Sequence, residues 1–453
     1  MRRSLSVLTV LALVAAGCGD NGTVSPGTEG TPTSAAPVTS SPLGYDPTAE
    51  LVRAEVPRAT ATDVTAAELG ALIDGNDAFA IDLYRAAAAD QNLILSPYSI
   101  ATALTMTMAG ARGTTADEMR TVLHLDLLEE RIHVARNELD LQISSEQAIS
   151  EGDDREPFTI RTANSIWGQR GYPFLDAFLE LLAADYDAGL RLADFAADPE
   201  AARLAINAWV EEKTEGRISD LIPSGSIDPL TRLVLVNAIW FKANWDEAFD
   251  PELTRDFPFT LLDGSTIDVP MMRSSDRSLA YADGDGFVAV SIPYTGDASM
   301  LVLLPDEGAF SDVVAAFGAD ELAALDAELS ARAINLTLPS FEIRSDLGLN
   351  ALLRSLGMES AFIPPPGPIG ADFTGITATP ELYVSEVIHQ AFIKVDEGGT
   401  EAAAATAVII RATSAPIDRP LDLTIDRPFL FLIRHGGTGE ILFMGQVTNP
   451  RVG

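Results

Sequence analysis

Between two runs that read as β-strands, Leu382–Val395 and Phe429–Arg434, the chain carries Glu397-Gly398-Gly399-Thr400-Glu401-Ala402-Ala403-Ala404-Ala405-Thr406-Ala407-Val408-Ile409-Ile410-Arg411. By intrinsic propensity the alanine run should be helix, and a short exposed helix or linker is the plain reading. Read with a period of two, it divides differently. Thr400, Ala402, Ala404, Thr406, Val408 and Ile410 form a set without charge, whereas Glu401, Ala403, Ala405, Ala407, Ile409 and Arg411 hold both charges. That is the pattern of a strand with one face fit for burial and small enough to slide between neighbours. Gly398-Gly399 supplies a hinge with free φ/ψ. A segment tolerable as helix or loop, yet competent as a core strand, is the signature of a switch.

The rest of the chain sets the context for that switch. Apolar residues at helical spacing predict helices over Glu68–Ala89, Tyr98–Ala109, Thr115–Leu123, Glu129–Ala148, Pro173–Asp187 and Asp198–Glu215. Phe158–Trp167, Thr231–Phe241, Val288–Leu304 and Ile334–Ile343 read as strands, several apolar on both faces. Ile441–Val447 pairs with Phe429–Arg434 around Gly436-Gly437-Thr438-Gly439. Helices dominate the first half and strands the second. That order predicts an α+β fold without regular βαβ alternation, and no internal repeat is visible.

Enzyme chemistry finds little support. The sequence holds no Gly-x-Ser-x-Gly elbow, no His-Glu-x-x-His helix and no phosphate-binding Gly-rich loop. Asp283-Gly284-Asp285-Gly286 suggests calcium, but a twelve-residue loop counted from Asp283 would close on Tyr294 rather than Glu, so a hairpin turn is expected. The four histidines are His124, His133, His389 and His435; the first two lie on helical faces without a metal pattern. His389 sits inside an apolar strand, where a buried, hydrogen-bonded imidazole is the ordinary state. No cofactor or metal site is expected. The chain has 30 Lys plus Arg against 66 Asp plus Glu, a formal charge of −36, which repels phosphate backbones and argues against nucleic acid as a partner.

The first residues read as an address. Arg2 and Arg3 precede a short apolar run, Leu5–Ala16, too short to span a bilayer, so residues 1–17 are expected to be a signal peptide. The sole cysteine follows in Ala15-Ala16-Gly17-Cys18, which resembles the lipobox of bacterial lipoproteins and implies lipidation at Cys18. The expected location is extracytoplasmic, lipid-anchored to a bacterial membrane; the alternative is secretion with an incidental cysteine. Gly, Thr, Ser and Pro dominate from Gly19 to about Pro57, so residues 18–65 are expected to be a flexible tether and 66–453 the folded domain.

Over essentially that whole body the sequence resembles the serpin family. Asn92-Leu93-Ile94-Leu95-Ser96-Pro97-Tyr98-Ser99-Ile100 and Gly110-Ala111-Arg112-Gly113-Thr114-Thr115 are similar to its early helices. Leu235-Val236-Asn237-Ala238-Ile239-Trp240-Phe241-Lys242-Ala243-Asn244-Trp245 resembles its central sheet strand, and Glu397–Ala407 the hinge of its reactive loop. Pro428-Phe429-Leu430-Phe431 and Leu442–Pro450 resemble its C-terminal strands.

The resemblance implies three β-sheets, about nine helices and an exposed reactive loop over about 397–420. It implies an irreversible suicide-substrate inhibitor of serine proteases, not an enzyme: the protease attacks the loop, and the freed hinge inserts into the main sheet as a new strand. Thr400–Thr413 would extend about 45 Å at roughly 3.3 Å per residue. The hinge comprises Glu397, Gly398, Gly399, Thr400, Glu401, Ala402, Ala403, Ala404, Ala405 and Thr406. Ser96, Ser99, Asn237 and His389 match the polar cluster under the sheet's opening point, and Trp245 matches its top. The lysine that pairs in some members with the equivalent of Glu397 is replaced here by Ser340, so that ion pair is not expected. Family spacing puts the cleaved bond at Thr413–Ser414, suiting elastase-like or subtilisin-like targets; Arg411–Ala412, suiting trypsin-like ones, is the rival. A monomer is expected. The alternative is a non-inhibitory serpin-fold binding or storage protein, disfavoured because the hinge carries no proline, bulky or charged residue after Glu401 up to Ala407.

Overall fold

Thr65 opens the first long helix. Its hydroxyl accepts the Glu68 N–H while the Glu68 carboxylate accepts the Thr65 N–H, so two otherwise orphaned donors are satisfied. The computed structural model describes residues 50–60, 62–145, 158–367, 369–400 and 419–452. Among them are nine α-helices: α1 (Ala66–Ala87), α2 (Pro97–Met108), α3 (Gly113–Val122), α4 (Glu129–Ser145), α5 (Asp176–Tyr186), α6 (Pro199–Lys213), α7 (Phe310–Ala316), α8 (Ala319–Glu328) and α9 (Asn350–Ser355).

The strands begin with β1 (Leu51–Val52), β2 (Leu93–Leu95), β3 (Thr159–Gln169), β4 (Leu190–Ala193), β5 (Leu233–Asn244) and β6 (Arg255–Thr260). They continue with β7 (Thr266–Arg273), β8 (Arg277–Asp283), β9 (Phe287–Pro293), β10 (Ala298–Pro305), β11 (Ser330–Pro339) and β12 (Phe341–Gly348). The last are β13 (Glu386–Asp396), β14 (Gly399–Thr400), β15 (Leu421–Thr424), β16 (Phe429–His435) and β17 (Ile441–Val447). The α+β class is as expected.

Among the described residues the strands form two hydrogen-bonded sheets rather than the expected three. A seven-stranded sheet runs β1-β4-β3-β5-β14-β13-β12, and a ten-stranded sheet holds the rest. The second is continuous because β11 pairs with β8 through Ser330–Ile334 and with β7 through Thr337–Pro339, joining what would otherwise be two sheets.

Two expected strands are in fact pairs. Val288–Leu304 divides into β9 and β10 at a turn where Gly296 has φ +91° and Tyr294 N–H donates to the Ala298 carbonyl. Ile334–Ile343 divides at Ser340, where the chain leaves one sheet for the other just after Pro339, which has no N–H to continue a ladder. Both runs are apolar throughout, so periodicity alone leaves the breaks unmarked. The Asp283–Gly286 segment is the β8–β9 turn, with Gly284 N–H donating to the Phe287 carbonyl.

The expected tether boundary at 66 is also too late. Leu51 and Val52 pair with Arg191 and Leu190 of β4, Arg53 bonds the Asp187 carboxylate, and Arg58 reaches Asn137 and Asp140. Residues 50–60 therefore form a strap on the body. Tether composition hid this, because a two-residue edge strand and two arginines leave no periodic signal. Residues 1–49, including Cys18, lie outside the described residues.

The core lies between the sheets and the early helices. β17 is buried along its whole length, paired with β16 and β2 and covered by α1 and α2. Fully burying each Phe or Leu there contributes about 1.5–3 kcal/mol, so this hairpin is a fixed floor beneath the seven-stranded sheet.

Candidate functional site

The parallel contact between β5 and β13 is where the polar residues collect. Glu386–Phe392 pairs with Val234–Trp240, setting His389 opposite Asn237; on the other side of β5, Asn164 of β3 also stands opposite Asn237. Ser96 caps α2 beneath them. Ser96 N–H donates to His389 Nε2 at 3.2 Å, so the ring proton sits on Nδ1, which donates to Asn237 Oδ1. Asn237 Nδ2 donates to Ser99 Oγ at 2.6 Å and to Asn164 Oδ1 at 2.7 Å. Ser99 Oγ donates to Asn164 Oδ1 at 2.8 Å, and Ser96 Oγ to the Leu442 carbonyl at 2.6 Å.

The four predicted residues thus meet, with Asn164 as a fifth that sequence reasoning missed. Burial pushes the His389 imidazole down to about 3. It is therefore neutral at ordinary pH and holds β5 to β13 as a latch; a general base would need a proton affinity nearer neutrality.

At the upper end of the contact Gly399 and Thr400 already stand in the sheet. The chain leaves β13 at Asp396, turns through Glu397-Gly398, and returns as β14 between β13 and β5. Gly399 stands opposite Asn244 and Asp396, Thr400 opposite Ala243 and Val395, antiparallel to both strands. Gly399 has φ +147°, and a Cβ there would fall 2.1 Å from the Ala243 carbonyl oxygen, so only glycine passes this point. Thr400 is fully buried, and its hydroxyl shares a 2.7 Å hydrogen bond with that of Tyr294.

Trp245 roofs the entry. Its indole stacks on Tyr294 at 4.4 Å and 6°, its Nε1–H donates to the Asp396 carbonyl at 3.0 Å, and its N–H donates to the Gly398 carbonyl at 2.9 Å. The Glu397 carboxylate accepts the Thr254 hydroxyl at 2.6 Å. Ser340 N–H donates to Pro270 instead. Sequence reasoning missed Tyr294 and Thr254; each lies more than a hundred residues from its hinge partner, with no local pattern to mark it.

The chain is described again at Arg419-Pro420, just before β15, whose Leu421 pairs in parallel with Ile334 of β11. Glu401, Ala402, Ala403, Ala404, Ala405 and Thr406 of the hinge, and Arg411, Ala412, Thr413 and Ser414 around the two candidate bonds, lie outside the described residues. No group of three or more His, Cys, Asp or Glu able to hold a metal occurs among the described residues.

The seven-stranded sheet thus holds a two-residue strand, with Thr400 buried, between β5 and β13 above the hydrogen-bonded cluster of His389 and Asn237. The family model for Serpin (serine protease inhibitor) matches residues 74–450, and the chain belongs to that family. It is 37% identical over 386 residues to an uncharacterized serpin-like protein of Thermococcus kodakarensis, covering 84% of this chain and 86% of that one. It is 37% identical over 388 residues to leukocyte elastase inhibitor of Sus scrofa, covering 83% and 98%. Among solved structures, native Tengpin, a thermophilic serpin, superposes with TM-score 0.76 at 26% identity over 88% of this chain and 100% of that one. Uncleaved ovalbumin gives 0.72 at 26% identity over 84% and 100%.

Proposed function

We propose that the chain is an irreversible suicide-substrate inhibitor of serine proteases, tethered by a lipid at Cys18 to the outer side of a bacterial membrane. The observation that carries the inhibitory reading is β14, whose two residues occupy the first rungs of the position a longer inserted strand would fill. Continuing its register one for one, six residues beyond Thr400 is Thr406, six back from Ala243 is Asn237, and six back from Val395 is His389. Thr406 would therefore arrive at the latch bond and replace it. The intervening inward positions, Ala402 and Ala404, would meet Phe241 and Ile239 of β5, both buried in the core.

The chemistry follows from that path. The protease serine Oγ attacks the Thr413 carbonyl, the Thr413–Ser414 amide breaks, and the Ser414 amine leaves with a proton from the protease histidine. The acyl-enzyme is tied to the freed strand. Insertion exchanges one parallel ladder between β5 and β13 for two antiparallel ladders, so it is downhill once the loop is cut. Before the cut the segment is tethered at β15, which would hold it back from insertion kinetically. Similarity to leukocyte elastase inhibitor and a small β-branched residue at 413 support an elastase-like or subtilisin-like target.

Incubating the purified protein with a panel of serine proteases tests this. An SDS-resistant complex with at least one elastase-like or subtilisin-like enzyme is expected. Loop cleavage by every member without any complex would move the chain to the binding-or-storage class.

A further inference from the structure

A cavity of about 420 Å³ lies beside the seven-stranded sheet, lined by residues of α2, α4, β3, β4, α6 and the strap. Although the chain carries a formal charge of −36, its lining includes Arg53, Arg58, Arg136, Arg191 and Lys213. The carboxylates on its wall are largely spoken for. Asp187 takes Arg53, and Asp140 takes Arg58 and the Tyr98 hydroxyl. Asp185 is the third, and burial raises its pKa against the lowering effect of Arg58.

Arg136 is the exceptional member. It is 1% exposed, and among the described residues its Nε and Nη1 have no hydrogen-bond partner. Nη2 donates to Asn76 Oδ1 at 2.8 Å, and Asn76 Nδ2 in turn donates to both Glu440 oxygens at 2.9 and 3.0 Å. The Glu440 carboxylate thus reaches the guanidinium only through an amide. Burial pushes Glu440 up to about 7, so at neutral pH that counter-charge is only partly present. Across the cavity Arg191 lies 4.7 Å from the Trp209 ring centroid, its charge held by aromatic faces.

A buried guanidinium with two empty donors is costly unless something supplies acceptors. We propose that this cavity binds a small oxyanion carrying two or more negative charges, phosphate or polycarboxylate, with Arg136 donating to it and with Arg191 and Lys213, whose ammonium also meets the Glu212 carboxylate at 3.2 Å, contributing charge. The strap completes the site, because Arg53 and Arg58 occupy two of the wall's carboxylates.

Isothermal titration calorimetry of the full chain with inorganic phosphate, and separately with citrate, tests the assignment. Saturable one-to-one binding of at least one anion is expected, weakened tenfold or more by Arg136→Met and severalfold by Arg191→Gln. Tighter phosphate binding identifies a phosphate site and tighter citrate binding a carboxylate site. If Arg136→Met does not fold, Arg191→Gln and Lys213→Ala carry the comparison. Absence of saturable binding of either anion, or binding that the folded variants leave unchanged, overturns the proposal.

Discussion

The hydroxyls of Thr400 and Tyr294 meet in a buried 2.7 Å hydrogen bond that fixes the first inward residue of the hinge inside the sheet. β14 has only two residues, so this bond and a few ladder bonds, each worth roughly 1 kcal/mol net, hold the hinge seated. The seat is shallow enough to be released and deep enough to set the register of a strand continuing beyond Thr400.

Thr400→Arg should convert the inhibitor into a substrate. Thr400 is fully buried with the Tyr294 hydroxyl as its partner, and burying a guanidinium there would cost several kcal/mol, so β14 leaves the sheet and insertion after cleavage slows. Deacylation then wins. The uncut variant should keep its circular-dichroism spectrum, because the body beneath is untouched, while the complex disappears from gels and cut protein accumulates. Undiminished complex formation would contradict the burial of this side during insertion.

His389 predicts a pH dependence with a definite sign. Its folded-state value, about 3, lies below the ordinary 6.5, so between these values the unfolded chain binds a proton that the folded chain does not. Its contribution to stability is fully present above pH 6.5 and is lost as pH falls toward 3, by about 1.4 kcal/mol per pH unit within that window. His389→Gln removes the titrating group. Denaturant titrations should show the wild type losing stability relative to the variant on acidification from pH 6.5 to 4.5; a constant difference would contradict the latch geometry.

How far the site could be read from the sequence depended on the range of the interaction. The period-two pattern is local, and Thr400, the one member of it among the described residues, falls on the side that pattern marked for burial. Ser96 announced itself through Ser-Pro at a helix start. Asn164 did not, since an asparagine in an apolar strand means little until the β3–β5 register sets it against Asn237. Tyr294 and Thr254 depend on chain crossings that no window of sequence contains. The strap was misread for a related reason: Leu51 and Val52 become a strand only because β4 offers an edge.

The scissile bond is expected at Thr413–Ser414. Mass spectrometry of the C-terminal fragment released from a trapped complex should give a fragment beginning at Ser414. One beginning at Ala412 would move the bond to Arg411 and the target to a trypsin-like protease.

Cys18→Ser tests the anchor. Two or three acyl chains hold a protein firmly where one does not, so the wild type should fractionate with membranes and carry acyl groups on its N-terminal cysteine. The variant should be released to the soluble fraction or remain unprocessed. Wild-type protein that is soluble and free of acyl groups would contradict the assignment.

Inhibition by this mechanism requires the segment after Thr400 to become a full strand between β5 and β13. Cutting the loop with a protease that is not trapped, then measuring the thermal midpoint of the cut protein, addresses that requirement most directly. One added ladder of about ten hydrogen bonds at roughly 1 kcal/mol each should raise the midpoint by about 10 °C or more for a chain of this size. A cut protein that melts at or below the temperature of the intact one would mean that the strand does not enter, and would contradict inhibition by insertion.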